Sequence, residues 1–311
     1  MENGSGYESN SELKSAKGLV IGSLSPMFSI VKIVSAYPGD SMNKIISKTL
    51  FSIFIFLLFS CNEYQKLLRN DDVKIKYEMA EKYYENQEWR RASVLFEQIQ
   101  PKYRGKPQGE RITFFYANSL LKKNNYVLAA FQFESFVKSY PISQKAEEAS
   151  FLSAYCYYKQ SPKYSLAQDD TNTAIQKLQN FINFYPYSER LDEANDLVQE
   201  LRIKLEFKAF EIAKQYNTIR DYTSAIKVLN NFISEYPGTP YRENALYYLF
   251  DSSYQLAINS IQSKRLERLN NAIKLYDELI KDYPETKFIS ESDKKMTAIE
   301  KEIAIFAADK S

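Results

Sequence analysis

The sequence predicts an all-α fold: a solenoid of about five helical hairpins sealed by a carboxy-terminal helix. Three observations carry that prediction. The dipeptide Tyr-Pro recurs at Tyr140-Pro141, Tyr185-Pro186, Tyr236-Pro237 and Tyr283-Pro284, each time after an apolar run that steps by three and four residues. Proline lacks the N–H that a helix interior needs and its ring clashes with the preceding turn, yet it suits a first helical turn, so each Tyr-Pro closes one hairpin and starts the next. An alanine stands 12 residues before each of these prolines, at Ala129, Ala174, Ala225 and Ala272. Beyond the last proline, Met296, Ile299, Ile303 and Phe306 follow one another at spacings of 3, 4 and 3 among charged residues, the pattern of an amphipathic helix that seals the end of a stack.

The alanine phase extends backwards. Ala117 precedes Ala129 by 12 residues, Ala213 precedes Ala225 by 12, and Ala80 and Ala92 make a degenerate first copy. Small residues at two places let antiparallel helices approach closely, and the larger Phe96, Phe133, Leu178, Leu229 and Tyr276 fill the space between them. The pattern resembles the tetratricopeptide repeat, two helices per unit of roughly 34 residues with small residues at the eighth and twentieth places and a proline at the thirty-second. That resemblance implies a right-handed superhelical solenoid, with five units over roughly 74 to 284. In the third unit Ala154 and Ala174 are 20 residues apart, and in the fifth Ser252 and Ala272 are also 20 apart. Both spacings predict a hairpin turn lengthened by 8 residues, carrying Ser161-Pro162 in one and Lys264-Arg265 in the other.

Residues 1–41 have weak periodicity and read as an upstream extension or leader. From Met42 the layout is that of a secretory signal over 42–60: Lys44 and Lys48, an uninterrupted apolar run from Leu50 to Phe59, then Ser60-Cys61. The run is about half the length a spanning helix requires, which disfavours a transmembrane anchor. Leu58-Phe59-Ser60-Cys61 resembles the bacterial lipoprotein cleavage box, although Phe59 stands where a small residue is usual. The resemblance implies acylation of Cys61 as the mature amino terminus, and Asn62 in place of an aspartate implies export to the outer membrane. Residues 61–73 read as a polar tether ending in Asn70-Asp71-Asp72, residues favoured just ahead of a helix. Three units are expected over 74–186. No breaker interrupts 188 to about 217, so a rod of some 30 residues opens the second half, 187–308, with two units and the terminal helix.

The composition excludes much chemistry. There is no histidine, which removes His-dependent nucleophilic triads and histidine-ligated zinc, and two cysteines cannot form a four-thiolate site. Gly105 and Gly109 flank Lys106-Pro107 without forming a phosphate loop, and Glu147-Glu148 are adjacent on a helix and diverge. No enzyme, metal or cofactor is expected. Removing residues 1–60, which hold 5 basic and 4 acidic residues, leaves 36 basic against 35 acidic, so nothing points to nucleic acid. Cys156, set among Phe151, Ala154 and Tyr157, reads as a buried, inert thiol.

A lipid-anchored five-unit solenoid with a lengthened third hairpin and a long helix after the third unit resembles the BamD family of outer-membrane β-barrel assembly lipoproteins. The resemblance implies a non-catalytic scaffold facing the periplasm. Its carboxy-terminal half would dock the periplasmic domains of BamA, and its amino-terminal half would take the targeting peptides of unfolded outer-membrane proteins. By the ligand-contacting places of tetratricopeptide units, the groove would draw on Lys74, Tyr77, Glu81 and Tyr84 in the first unit. The second would add Arg111, Phe114, Asn118 and Lys122, and the third Phe151, Tyr155, Tyr158 and Lys159. Two readings of these aromatics stand open, exposed anchors for an aromatic peptide with a free carboxylate, or packing between units. Arg202 and Lys204 fall near the place where the family presents a basic residue to BamA. Another peptide-binding periplasmic adaptor, or a glycan-capturing lipoprotein, would share the repeats; the latter is typically much longer.

Overall fold

The computed structural model describes residues 63–308. The leader, the signal segment and Cys61 lie outside the described residues. Residues 63–69, read above as part of a tether, are helical; they hold no glycine or proline, and Leu67 and Leu68 between Lys66 and Arg69 are good helix formers. From Val73 onward there are eleven α-helices and, among the described residues, no strand. They are α1 (Val73–Glu85), α2 (Trp89–Ile99), α3 (Pro107–Lys122), α4 (Tyr126–Ser139), α5 (Ala146–Gln160), α6 (Asp169–Phe184), α7 (Leu191–Thr218), α8 (Tyr222–Glu235), α9 (Arg242–Ile258), α10 (Gln262–Asp282) and α11 (Ile289–Ala308), with a short 3-10 turn at Gln100–Tyr103. Each helix packs on the next, as an all-α solenoid of antiparallel hairpins requires.

The small places do the expected work. Ala80, Ala92, Ala117, Ala129, Ala154, Ala174, Ala213, Ala225 and Ala272 are all buried, and Phe96, Phe133, Leu178 and Leu229 fill the gaps with 0% exposure.

The Tyr-Pro boundary differs in one respect from the expectation. The proline does not open the next helix; it occupies the second position of a reverse turn, and α5 begins only at Ala146. Its fixed φ suits that position of the turn. Tyr140, Tyr185, Tyr236 and Tyr283 each cap a helix. Ser143, Ser188, Thr239 and Thr286, three residues on, donate their N–H back to those tyrosine carbonyls at 3.1 Å. The repeated signal is therefore Tyr-Pro-x-Ser/Thr. The hydroxyls then accept from the backbone N–H two residues later, and three of them reach back one unit. Ser143 donates to Glu110 at 2.5 Å, Ser188 to Glu147 at 2.5 Å and Thr286 to Glu243 at 2.6 Å. These glutamates stand in the first turns of α3, α5 and α9, where the helix dipole favours a carboxylate.

Turns inside the units follow a second rule. Gln87, Asn124 and Arg220 sit at φ of 60°, 63° and 65°, just past α1, α3 and α7. The next residue in each case bonds five back, Glu88 to Tyr83, Asn125 to Leu120 and Asp221 to Tyr216, which is the Schellman closure. Asn125 and Asp221 then cap the following helix through their side chains.

The two long spacings part company. In the third unit residues 161–168 form the expected loop: Ser161 precedes Pro162 and is held extended at φ −59°, ψ 120°. In the fifth unit the expected loop at Lys264-Arg265 is absent. The turn is only Asn259, Ser260 and Ile261, and the extra residues lengthen α10 to 21 residues. The reason is local: no proline or glycine occurs between 240 and 284, and Lys, Arg, Leu and Glu around Lys264 favour helix.

The 28-residue α7 serves two cores. Its Ala194, Val198 and Leu201 close the cluster of Ala174, Leu178 and Phe181, while Phe210 and Ala213 open the cluster of Ala225, Leu229 and Phe232. At the end, Ile299 of α11 is fully buried with Phe250, Leu269 and Ala272, and Met296, Ile303 and Phe306 pack around it. A polar network ties α7, α9 and α11: Lys295 Nζ lies 2.7 Å from Asp251 and 2.8 Å from Glu291, and Asn217 donates to Asp251 at 2.8 Å.

Arg220→Gly relieves a side chain from the left-handed region and is expected to raise stability by up to about 1 kcal/mol, read as a higher urea midpoint at unchanged slope. A lower midpoint would show that the Arg220 stem contributes packing that outweighs the backbone strain.

Candidate binding face of the first helices

The sequence-derived groove residues fall into two groups. Phe114 and Phe151 are 6% and 2% exposed, so these two are core residues and not exposed anchors. The reason is positional. They lie three residues before Ala117 and Ala154 on the same helix face and meet the second helix of their own unit. Phe114 makes edge contacts with Phe133 and Phe136, and Phe151 with Phe181. The next unit then covers them. Four residues after each turn proline a side chain lies over the aromatic: Lys145 over Phe114 at 5.4 Å and Arg190 over Phe151 at 4.8 Å. In the second half the same place is aromatic, with Tyr241 stacked on Phe210 at 5.7 Å and Phe288 on Tyr247 at 3.9 Å.

The remaining residues form a chain of contacts along the first helices. Tyr77 donates to Glu81 at 2.5 Å, and Arg111 pairs with Glu81 at 2.9 Å and lies over Phe115 at 4.9 Å. Burial, then the hydrogen bond to Glu81, pushes the Tyr77 hydroxyl up to about 12. Tyr84 stacks on Phe115 at 4.2 Å and 7°, and its hydroxyl accepts from Asn118 at 2.6 Å, which welds α1 to α3. Lys74 and Lys122 are exposed.

In the third unit Tyr155 and Tyr158 are stacked at 5.9 Å, and the exposed Lys159 reaches over both rings at 5.1 and 5.4 Å. Tyr158 donates to Glu200 of α7 at 2.8 Å, and burial together with that bond pushes its hydroxyl up to about 12. Beside this group lies a cavity of about 310 Å³ lined by Lys122, Tyr126, Phe151, Tyr155, Arg190 and Glu193 among others. Phe115, Tyr126, Arg190 and Glu200 were not among the residues named from sequence. Arg190 was legible, since it occupies the place four residues after a turn proline. Buried Cys156 is a spectator whose thiol burial pushes up to about 12.

On α7, Arg202 is exposed, whereas Lys204 is turned into its own protein. Lys204 donates to Ser161 Oγ and Lys208 to the Leu166 carbonyl, while Phe207 meets the Tyr164 ring edge-on at 4.6 Å. These three residues share a helix face and hold the 161–168 loop against the rod, and partial burial lowers the pKa of Lys204.

The family model described as outer membrane lipoprotein (YfiO) matches residues 69–269 and 209–307. The chain belongs to this family of outer membrane lipoproteins. One relative is the outer membrane protein assembly factor BamD of Caulobacter vibrioides, 22% identical over 177 residues. That match covers 57% of this chain and 58% of the relative, a little over half of each. Two crystal structures of the nearly identical TPR-like repeats of a putative Podosopora anserina kinesin light chain are 12% identical to it, with TM-scores of 0.29 and 0.28. Each covers 66% of this chain and 95% of its own. The family's lipoprotein character places the chain at the outer membrane, and the described helices are the scaffold on which any function rests.

The two groups of residues differ in a measurable way. Phe151→Ala is expected to cost about 3–5 kcal/mol in urea unfolding, as a large buried ring does, while Lys159→Ala stays within about 0.5 kcal/mol. Comparable losses for both would mean that Lys159 is structural.

Proposed function

We propose that this chain is a non-catalytic, lipid-anchored scaffold of the machinery that inserts β-barrel proteins into the outer membrane. The observation that carries the reading is the family match running through almost all described residues, joined to a relative named as an outer membrane protein assembly factor. Cys61 carries the acyl chains and the solenoid faces the periplasm. Radiolabelled fatty acid is expected to enter the wild type and not Cys61→Ala, which stays an uncleaved precursor; equal labelling of the two refutes the anchor.

The amino-terminal half takes the carboxy-terminal segment of unfolded barrel proteins. Support comes from the cavity beside α5, where Tyr126 and Tyr155 offer rings to an aromatic side chain and Lys122, beside the Arg190–Glu193 pair, offers charge to a terminal carboxylate. Lys122→Glu with Lys159→Glu is expected to weaken binding of a peptide ending in phenylalanine carboxylate by about tenfold, with the melting curve unchanged. The carboxamide peptide should bind the wild type as weakly. Affinity indifferent to both changes moves the peptide site elsewhere.

The carboxy-terminal half docks the periplasmic domains of BamA, and Arg202 is its candidate contact on α7. Lys204 is a weaker candidate because its ammonium already holds the 161–168 loop. Arg202→Glu is expected to lower co-purification with BamA in low salt, with the deficit shrinking as salt is added. Undiminished recovery shifts attention to α11.

A further inference from the structure

Antiparallel alternation brings all inter-unit turns to one end of the helices, together with the starts of α1, α3, α5 and α7. In the amino-terminal half this edge consists of residues 100–106, 140–145 and 185–190. The turns adjoin: a Cβ on Gly109 would lie 2.9 Å from Tyr140 Oη, and Ser143 and Ser188 each bond the first turn of the preceding unit. Two side chains at their tips serve nothing in the fold. Ile142 and Tyr187, each the third residue of its Tyr-Pro turn, are both 99% exposed, and Phe184 at the end of α6 is 79% exposed. The equivalent places in the carboxy-terminal half are Gly238 and Glu285, so the apolar tips belong to one half alone.

The first of these turns is basic. Lys102, Arg104 and Lys106 are exposed on the first turn. Of the acids near these turns, Glu110 and Glu147 accept from the turn serines and keep their charge, Glu148 and Glu193 pair with Lys145 and Arg190, and Glu189 and Asp192 are exposed, so the exposed cationic charge is concentrated at Lys102, Arg104 and Lys106. Isolated apolar and tyrosine tips beside one cationic turn suit a bilayer interface, where rings sit at headgroup depth and lysine and arginine meet anionic headgroups.

We infer that this edge of the amino-terminal half lies on an anionic lipid surface, as a second membrane contact beside the acyl chains. The inference rests on the acylation of Cys61. The chain enters α1 at the same edge, and the residues from Cys61 to Val73 span at most about 40 Å when extended, so the anchor holds the edge within reach of the bilayer. One acyl signal plus a basic patch holds a protein to a membrane more firmly than either alone.

The chain contains a built-in control. Its single tryptophan, Trp89, starts α2 at the opposite end, roughly 20 Å away along the 13 residues of α1. The full acylated protein would be reconstituted on vesicles of equal parts phosphatidylethanolamine and phosphatidylglycerol carrying nitroxide-labelled acyl chains. In a Trp89→Phe background, Ile142→Trp and Tyr187→Trp are expected to lose about half of their emission or more, whereas native Trp89 keeps its own. Lys102→Glu with Arg104→Glu should remove most of the tip quenching at low salt, and phosphatidylcholine vesicles should give little. A protein that floats with the vesicles while its tip tryptophans stay bright overturns the inference and leaves the anchor standing. Equal quenching of Trp89 overturns it as well, because the contact then has no orientation. Tip emission that changes only with protein concentration assigns the edge to contacts between copies of the chain and also overturns it. Failure of the wild type to float refutes the acyl anchor, a result independent of the tip signal.

Discussion

The structure depends on one repeated junction, the Tyr-Pro-x-Ser/Thr turn with the side chain that follows it. The tyrosine caps a helix, the proline forces the turn, and the hydroxyl folds the next helix start against the previous unit. The residue four past the proline then covers a first-helix aromatic of that unit. One short segment thus ends a helix, sets the angle of the next and completes the preceding core. Local bonds of this kind are individually worth about 1 kcal/mol, but in a solenoid each interface adds to its neighbours.

The junction also separates packing from binding. Because the following unit covers them, Phe114 and Phe151 are unavailable to a ligand, and the open side chains are Lys122, Tyr155 and Lys159. The cover differs between halves. Lys145 and Arg190 are cations that cover one ring and keep their charge near solvent, whereas Tyr241 and Phe288 stack flat. The amino-terminal half therefore covers its first-helix rings with cations, each paired with a glutamate, and the carboxy-terminal half covers them with aromatic rings.

The rod α7 links the two. Its first turns finish the amino-terminal core as a capping helix would, and its last turns begin the carboxy-terminal core as a first helix would. The 161–168 loop is held along its middle by Lys204, Phe207 and Lys208. A basic face that looked free in sequence is thereby consumed internally, and among the basic residues of α7 Arg202 is the exposed one.

By itself the sequence determined the all-α class, the helix ends at Tyr-Pro, the buried alanines, the uninterrupted rod and the sealing face of α11. Each of these follows from local rules: proline ends helices, apolar residues recur at three and four, and small residues mark close crossings. The same local rules resolve the equal spacings, whereas tertiary structure alone decided which aromatics are covered. Two spacings of 20 residues became a loop in one unit and two extra helical turns in the other, because Pro162 breaks a helix and nothing near Lys264 does. Whether Phe151 faces a ligand or a neighbour depends on Arg190, a residue 39 positions away that only the turn brings over the ring. Contacts between units lie outside any periodicity within one helix, so the chain pattern displays the places while the stack assigns their partners.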